Sequence, residues 1–177
     1  MLPKEHLDVK GFNKDFTQIW EGKKKNIYET AKNGRRLAVK FFQNSPEALI
    51  REFNAYQMFF ETDLKPFIPK PVELLPNKKA EYVAFSVERN EGDTLVSKRG
   101  KYFIKYNVFS ELMQALLSLR EPPWPSPDMY SESNIAHNPT TEKLWFTTCI
   151  VGKYQAQKDY AIRVREVFRK LVNDYSI

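Results

Sequence analysis

Over its first 90 residues the chain carries short apolar runs bounded by turn residues, interrupted once by a stretch of helical period. Residues 16–20 and 27–30 read as paired strands around a turn containing Gly22, and Asn33-Gly34 is a hairpin signal leading into a strand that ends near Phe42. Ser45-Pro46-Glu47 then opens a helix, because serine caps, proline suits the first helical position and a carboxylate suits the positive end. Leu49, Phe53, Tyr56 and Phe60 recur at helical spacing and give that helix one buried face, with Glu52 beside it. Ile68-Pro69-Lys70-Pro71 ends the helical region, and residues 72–75 and 82–87 form a second hairpin across Pro76-Asn77-Lys78-Lys79.

The second half has a different rhythm. A helix is expected over 108–119, with Phe109, Leu112, Met113, Leu116 and Leu117 on one side, and the proline-rich run 121–127 stops it. Residues 135–137 and 144–149 look like a small hairpin across Asn138-Pro139-Thr140-Thr141. A last helix, over 156–172, is apolar at Tyr160, Val164, Val167, Phe168 and Leu171. The expected class is α+β, with five strands and one helix inserted after the third, followed by a helix, a loop, a short hairpin and a last helix.

Composition narrows the class without naming a function. The chain has 177 residues, 42% hydrophobic and 28% charged, long enough for one core or two small lobes. Thirteen Phe, nine Tyr and three Trp supply large buried areas, while six Gly leave little room for linkers. Cys149 is the one cysteine, so packing rather than disulfides is expected to hold the fold, in a reducing compartment. The first residues lack the apolar core of a signal peptide, and no window reaches the roughly 18 apolar residues of a membrane span. A cytoplasmic protein that does not enter a membrane is expected. The role of an N-terminal arm of 15 residues is left open by its mixed charge.

A net charge of +6 raises nucleic acid as a partner. Candidate patches are Lys23-Lys24-Lys25, Lys32 with Arg35-Arg36, and Lys98-Arg99 with Lys101; the competing reading is solvated turns and strand ends. His6 and His137 lack neighbours at metal-ligand spacing, and Cys149 reads as a small buried residue rather than a nucleophile.

The most informative stretch is Leu37-Ala38-Val39-Lys40-Phe41-Phe42, followed twelve residues after its lysine by Glu52. A lysine on a rigid strand places a point charge in a cleft, and an acid on the next helix keeps that side chain extended. Ser86-Val87-Glu88-Arg89-Asn90-Glu91-Gly92-Asp93-Thr94-Leu95 leaves a strand and turns toward the second half. On these residues and the order of elements from about Phe16 to Val151, the chain resembles the protein-kinase-like superfamily.

The resemblance implies a kinase-like N-lobe over 1–95 with a five-stranded antiparallel sheet and one helix, a shortened, mostly helical C-lobe over 96–177, and ATP and Mg²⁺ as cofactors in a cleft lined by Lys40, Glu52, the hinge from Glu88 to Gly92, and Asn134. Glu88 and Asn90 would bracket the backbone that faces adenine. Trp20-Glu21-Gly22-Lys23-Lys24-Lys25-Asn26-Ile27-Tyr28 matches the family's phosphate-covering loop only at Gly22. Three lysines there either offset the lost glycines by charge or mark a loop that no longer covers a nucleotide. In Asp128-Met129-Tyr130-Ser131-Glu132-Ser133-Asn134, Asn134 matches the metal-binding asparagine, but Met129 stands at the catalytic-base spacing. Asp128 serves as base only with a one-residue bulge, and Glu132 is a substitute carboxylate. Leu144-Trp145-Phe146-Thr147-Thr148-Cys149 has no acid at the metal-binding position, where Thr147 or Thr148 offers only a neutral oxygen.

Three functional classes follow. The first is a degenerate kinase-like protein that binds nucleotide weakly and acts as a regulator or scaffold for a protein partner. The second is an active minimal Ser/Thr-type kinase with Asp128 as base and Asn134 on the metal. The third is a basic nucleic-acid-binding module using Lys23 to Lys25, Arg35 and Arg36. Oligomeric state and the identity of substrate or partner are not legible.

Overall fold

A computed structural model describes residues 7, 11–12, 15–42, 45–99 and 103–176. His6, Lys101 and most of the N-terminal arm lie outside them. The described residues form an α+β protein with a five-stranded antiparallel sheet, a three-stranded sheet and four α-helices. In chain order the elements are β1 (Thr17–Glu21), β2 (Lys25–Lys32), β3 (Arg35–Phe42), α1 (Pro46–Phe60), a 3₁₀ turn (Lys65–Phe67), β4 (Pro71–Pro76), β5 (Tyr82–Glu88) and β6 (Asp93–Thr94). There follow α2 (Leu95–Lys98), α3 (Tyr106–Ser118), β7 (Ile135–Asn138), β8 (Lys143–Phe146) and α4 (Gln157–Tyr175). Among the described residues no helix is long and apolar enough to cross a membrane.

By its internal contacts the chain divides into two compact units, Met1–Gln57 with Lys70–Arg89, and Met58–Pro69 with Asn90–Ile177. The first holds the five-stranded sheet, in the order β1-β2-β3-β5-β4. Asn33 and Gly34 both have positive φ, 51° and 75°, the conformation a tight two-residue hairpin demands and glycine accepts without strain. That turn sets Lys32 opposite Arg35, and the register runs from there to Ile27 opposite Lys40 and Lys25 opposite Phe42. All residues of β3 from Leu37 to Phe42 are buried, so this central strand is covered on both faces. On one face Leu7, Tyr28, Val39, Phe41, Leu75 and Ala84 form the core, with Phe12, Phe16 and Val83 at its margin. On the other, Phe53 and Tyr56 of α1 lean on Phe85, ring centroids 5.4 and 5.7 Å away, and Phe42 stacks on the same ring. β1 differs: all five of its residues are exposed, and a bulge lies between Gln18 and Trp20.

The second unit pairs β6, β7 and β8, and packs α3 beside α4, where the Tyr160 hydroxyl donates to the Leu116 carbonyl at 2.9 Å. Trp124 stacks on Tyr160 and meets Tyr154 edge-on, so the proline-rich run delivers an aromatic ring to the helix pair. The hairpin expected over 144–149 stops at Phe146: the Thr147 N–H still bonds the Asn134 carbonyl across the ladder, but the Asn134 N–H is turned to the Ser131 carbonyl. The 3₁₀ turn, β6 and α2 were not anticipated. At the last of these the Ser97 hydroxyl donates to the Thr94 carbonyl. Gly92 has φ 135°, and a side chain there would sit 2.6 Å from the His137 carbonyl oxygen, so the strand pair β6–β7 requires glycine just before it.

Candidate functional site

The register of β2 and β3 decides what Glu52 meets. Side chains two apart on a strand share a face, so Lys40 and the diagonal neighbour of its cross-strand partner, Lys25, both project toward α1. Glu52, on the sheet side of that helix, receives both. Lys25 Nζ donates to Oε1 at 2.9 Å and Oε2 at 2.7 Å, and Lys40 Nζ donates to Oε1 at 2.9 Å. Tyr56, one turn further along α1, accepts from Lys40 Nζ at 2.6 Å. Aromatic faces complete the surroundings, with Tyr56 and Phe85 under the Lys40 ammonium and Phe42 under that of Lys25.

Side-chain exposure is 3% for Lys40, 10% for Glu52 and 18% for Lys25, so the three charged groups meet in nearly dry surroundings. Burial alone would push the Glu52 carboxyl up. The Lys40 and Lys25 ammoniums outweigh that and hold its pKa lowered to about 2. The lysine and glutamate singled out in the sequence are therefore brought together, with two partners that sequence reasoning missed. Counting back from Asn33-Gly34 would have placed Lys25, and the i, i+4 spacing from Glu52 would have pointed to Tyr56.

The loop before β2 is used internally. The Gly22 N–H donates to Asn26 Oδ1 at 3.3 Å, and the Trp20 ring lies where a Gly22 side chain would go, with Cη2 2.0 Å from that point. At the end of β5 the Glu88 N–H donates to the Lys70 carbonyl, and its carboxylate lies 3.9 Å from Arg35. Arg36 and Arg89 converge on Glu29, whose carboxyl the Arg36 hydrogen bond in particular holds below the usual range. Lys32 pairs with Glu73. Much of the basic charge on this unit is thus met by carboxylates.

Asn90, Asp128, Glu132 and Asn134 belong to the second unit. Asp128 is exposed at the side chain and works through its backbone: its carbonyl accepts from Asn134 Nδ2 at 2.7 Å and from the Ser131 hydroxyl at 2.9 Å. Met129, at the spacing expected for a base, is fully buried. Glu132 accepts from the Tyr175 hydroxyl, whose pKa is raised to about 12 by burial and by that carboxylate. A groove of about 340 Å³ runs between this stretch and α4, with Asp128 and Glu132 on one wall and Arg163 and Lys170 on the other. Thr147 turns its hydroxyl to the Asn134 carbonyl oxygen at 3.3 Å and to Oδ1 at 3.5 Å. Among the described residues no group of three or more His, Cys, Asp or Glu could hold a metal ion. His137 is buried, and burial lowers its pKa.

No protein-family model matches the chain, and no curated protein matches it in sequence.

Proposed function

We propose that the chain is a degenerate protein-kinase-like protein that binds nucleoside triphosphate weakly and acts as a regulator or scaffold for a protein partner. One observation carries the reading, the Lys40–Glu52 ion pair that joins β3 to the helix after it; by the resemblance, Thr147 or Thr148 falls where a metal-binding acid would be. The ion pair extends a lysine that can meet phosphate oxygens, and a hydroxyl cannot supply the negative charge that anchors Mg²⁺ against them. The order of elements supports the same reading, with a five-stranded antiparallel sheet that has its helix after the third strand, followed by helices and a short hairpin. So does the state of Gly22, whose N–H is turned inward to Asn26.

The test is a phosphotransfer assay with labelled ATP and Mg²⁺, using the chain itself and a general protein substrate, on wild type and Lys40→Ala. No transfer above background in either is expected. Robust Mg-dependent transfer that Lys40→Ala abolishes would overturn the proposal and favour an active kinase.

A further inference from the structure

The groove beside α4 lies wholly in the second unit, and at about 340 Å³ it has room for a small ligand. One wall is the turn after the proline-rich run, the other is α4, and Pro127, Val167 and Leu171 give it an apolar lining. Most charges on these walls are already engaged. On α4, Arg163 pairs with Glu166 at 3.2 Å and Asp174 with Arg99 at 3.3 Å, which leaves Lys170 without a hydrogen bond or ion pair among the described residues. On the turn, Glu132 accepts from the Tyr175 hydroxyl, whereas the Asp128 carboxylate has no such partner among the described residues. Asp128 is held in place by its backbone instead: its N–H donates to Ser126 Oγ at 3.3 Å, its carbonyl accepts from Asn134 and Ser131, and Met129 beside it is fully buried. A carboxylate fixed through its backbone and open at its side chain is preorganised for a cation. Lys170 lines the same space from the other wall, yet the two do not pair, so the groove keeps an anion and a cation apart across an apolar lining.

We propose that this groove binds a small zwitterion whose ammonium and carboxylate are separated by an aliphatic stem, the ammonium meeting Asp128 and the carboxylate meeting Lys170. The two ends of such a ligand match the two walls in charge, and its stem covers Val167 and Leu171. In an α-amino acid with a neutral side chain both charges sit on one carbon, and only one wall is reached. Glu132 adds to the field that draws the ammonium, and Arg163 to the field that draws the carboxylate. The groove uses no residue of the first unit, so binding there goes beyond the nucleotide-site reading and does not depend on it.

The experiment is calorimetric titration of the full chain, at neutral pH and low salt, with ε-aminocaproate and separately with hexylamine, hexanoate and glycine. Wild type, Asp128→Asn, Lys170→Gln and Arg165→Gln are compared, with circular dichroism confirming that each variant is folded. The expected result is saturable binding of ε-aminocaproate, about fivefold or more tighter than that of any of the other three ligands, as one further charged contact implies. Asp128→Asn and Lys170→Gln, which keep size and remove one charge each, are each expected to weaken it about fivefold. Lys170→Gln is expected to erase the preference over hexylamine, and Asp128→Asn the preference over hexanoate. Arg165→Gln removes an exposed charge of α4 that does not line the groove and is expected to weaken binding by less than about twofold. A zwitterion bound no tighter than its better half, a preference that neither groove variant reduces, a loss from Arg165→Gln as large as theirs, or no binding at millimolar ligand would each overturn the inference. Should a groove variant fail to fold, the ligand series on wild type still decides it. None of these outcomes involves ATP, so this site and the nucleotide-site reading fail separately.

Discussion

Lys25 and Lys40 stand on neighbouring strands, fifteen residues apart in the chain, and both donate to Oε1 of Glu52 at 2.9 Å. The pair is a product of register: Ile27 faces Lys40 across the ladder, and Lys25 faces Phe42, so the two lysines lie diagonally on one face. Sharing one acceptor makes the three residues an energetic unit, in which the carboxylate matters more than either cation.

Removal of the carboxylate is therefore expected to cost more than removal of a lysine. Glu52→Gln removes the carboxylate that both poorly hydrated ammoniums share and is expected to destabilise the protein by about 3–5 kcal/mol. Lys40→Met leaves Glu52 its two bonds to Lys25 and is expected to cost roughly 1–2 kcal/mol. Urea unfolding of the two variants measures the order, and a larger loss from Lys40→Met would contradict the shared-acceptor account.

The same unit sets an acid limit. The Glu52 pKa falls from 4.5 unfolded to about 2 folded, so its contribution is complete above pH 4.5 and disappears as pH drops through 2. The contribution is on the order of 3 kcal/mol. The gap in unfolding free energy between wild type and Glu52→Gln is expected to narrow across that window, and a gap that stays constant would show that Glu52 does not titrate there.

At the turn 128–134 the side chain of Asn134 and the backbone of Asp128 are joined, while the Asp128 carboxylate is exposed. Asn134→Ala is expected to lower stability by about 1–2 kcal/mol. Asp128→Ala is expected to change it by less than about 0.5 kcal/mol. Thermal denaturation compares the two, and a larger effect at Asp128 would assign its carboxylate a role that this turn does not require.

Gly92→Ala tests a backbone rather than a side chain. With φ 135° and the His137 carbonyl oxygen 2.6 Å from the added carbon, the substitution strains β6 against β7 and is expected to cost more than about 2 kcal/mol. A nearly neutral effect in calorimetric melting would mean that the strand pair yields there.

Elements whose signal is local were legible. Short apolar runs bounded by Asn33-Gly34 and the Ser45-Pro46-Glu47 helix start led to β1, β2, β3 and α1 within a few residues. The four residues of α2 and the two of β6 are too short to show a period, and tertiary contacts such as the Val96 N–H to the Glu132 carbonyl hold them. Lys40 and Glu52 were legible as a pair because the strand and helix that carry them were. Lys25 read only as part of a basic run, since its partner is decided by ladder register rather than by its own neighbours. Asp128 stands out in the sequence as a carboxylate, whereas the turn uses its carbonyl, and a backbone acceptor leaves no trace in residue identity.

The strand order β1-β2-β3-β5-β4 also has a kinetic meaning. Two of its ribbons, β1-β2-β3 and β4-β5, are joined by short turns, whereas the seam between them brings Leu37 to Glu88 across about 50 residues. Ribbons closed by tight turns form in microseconds, and a seam of long sequence separation comes later. Pulse-labelled hydrogen exchange would read this as later protection in the β3–β5 ladder than in the β2–β3 ladder. The strand bearing Lys40 is thus expected to gain its second neighbour only after Lys25 is aligned beside it.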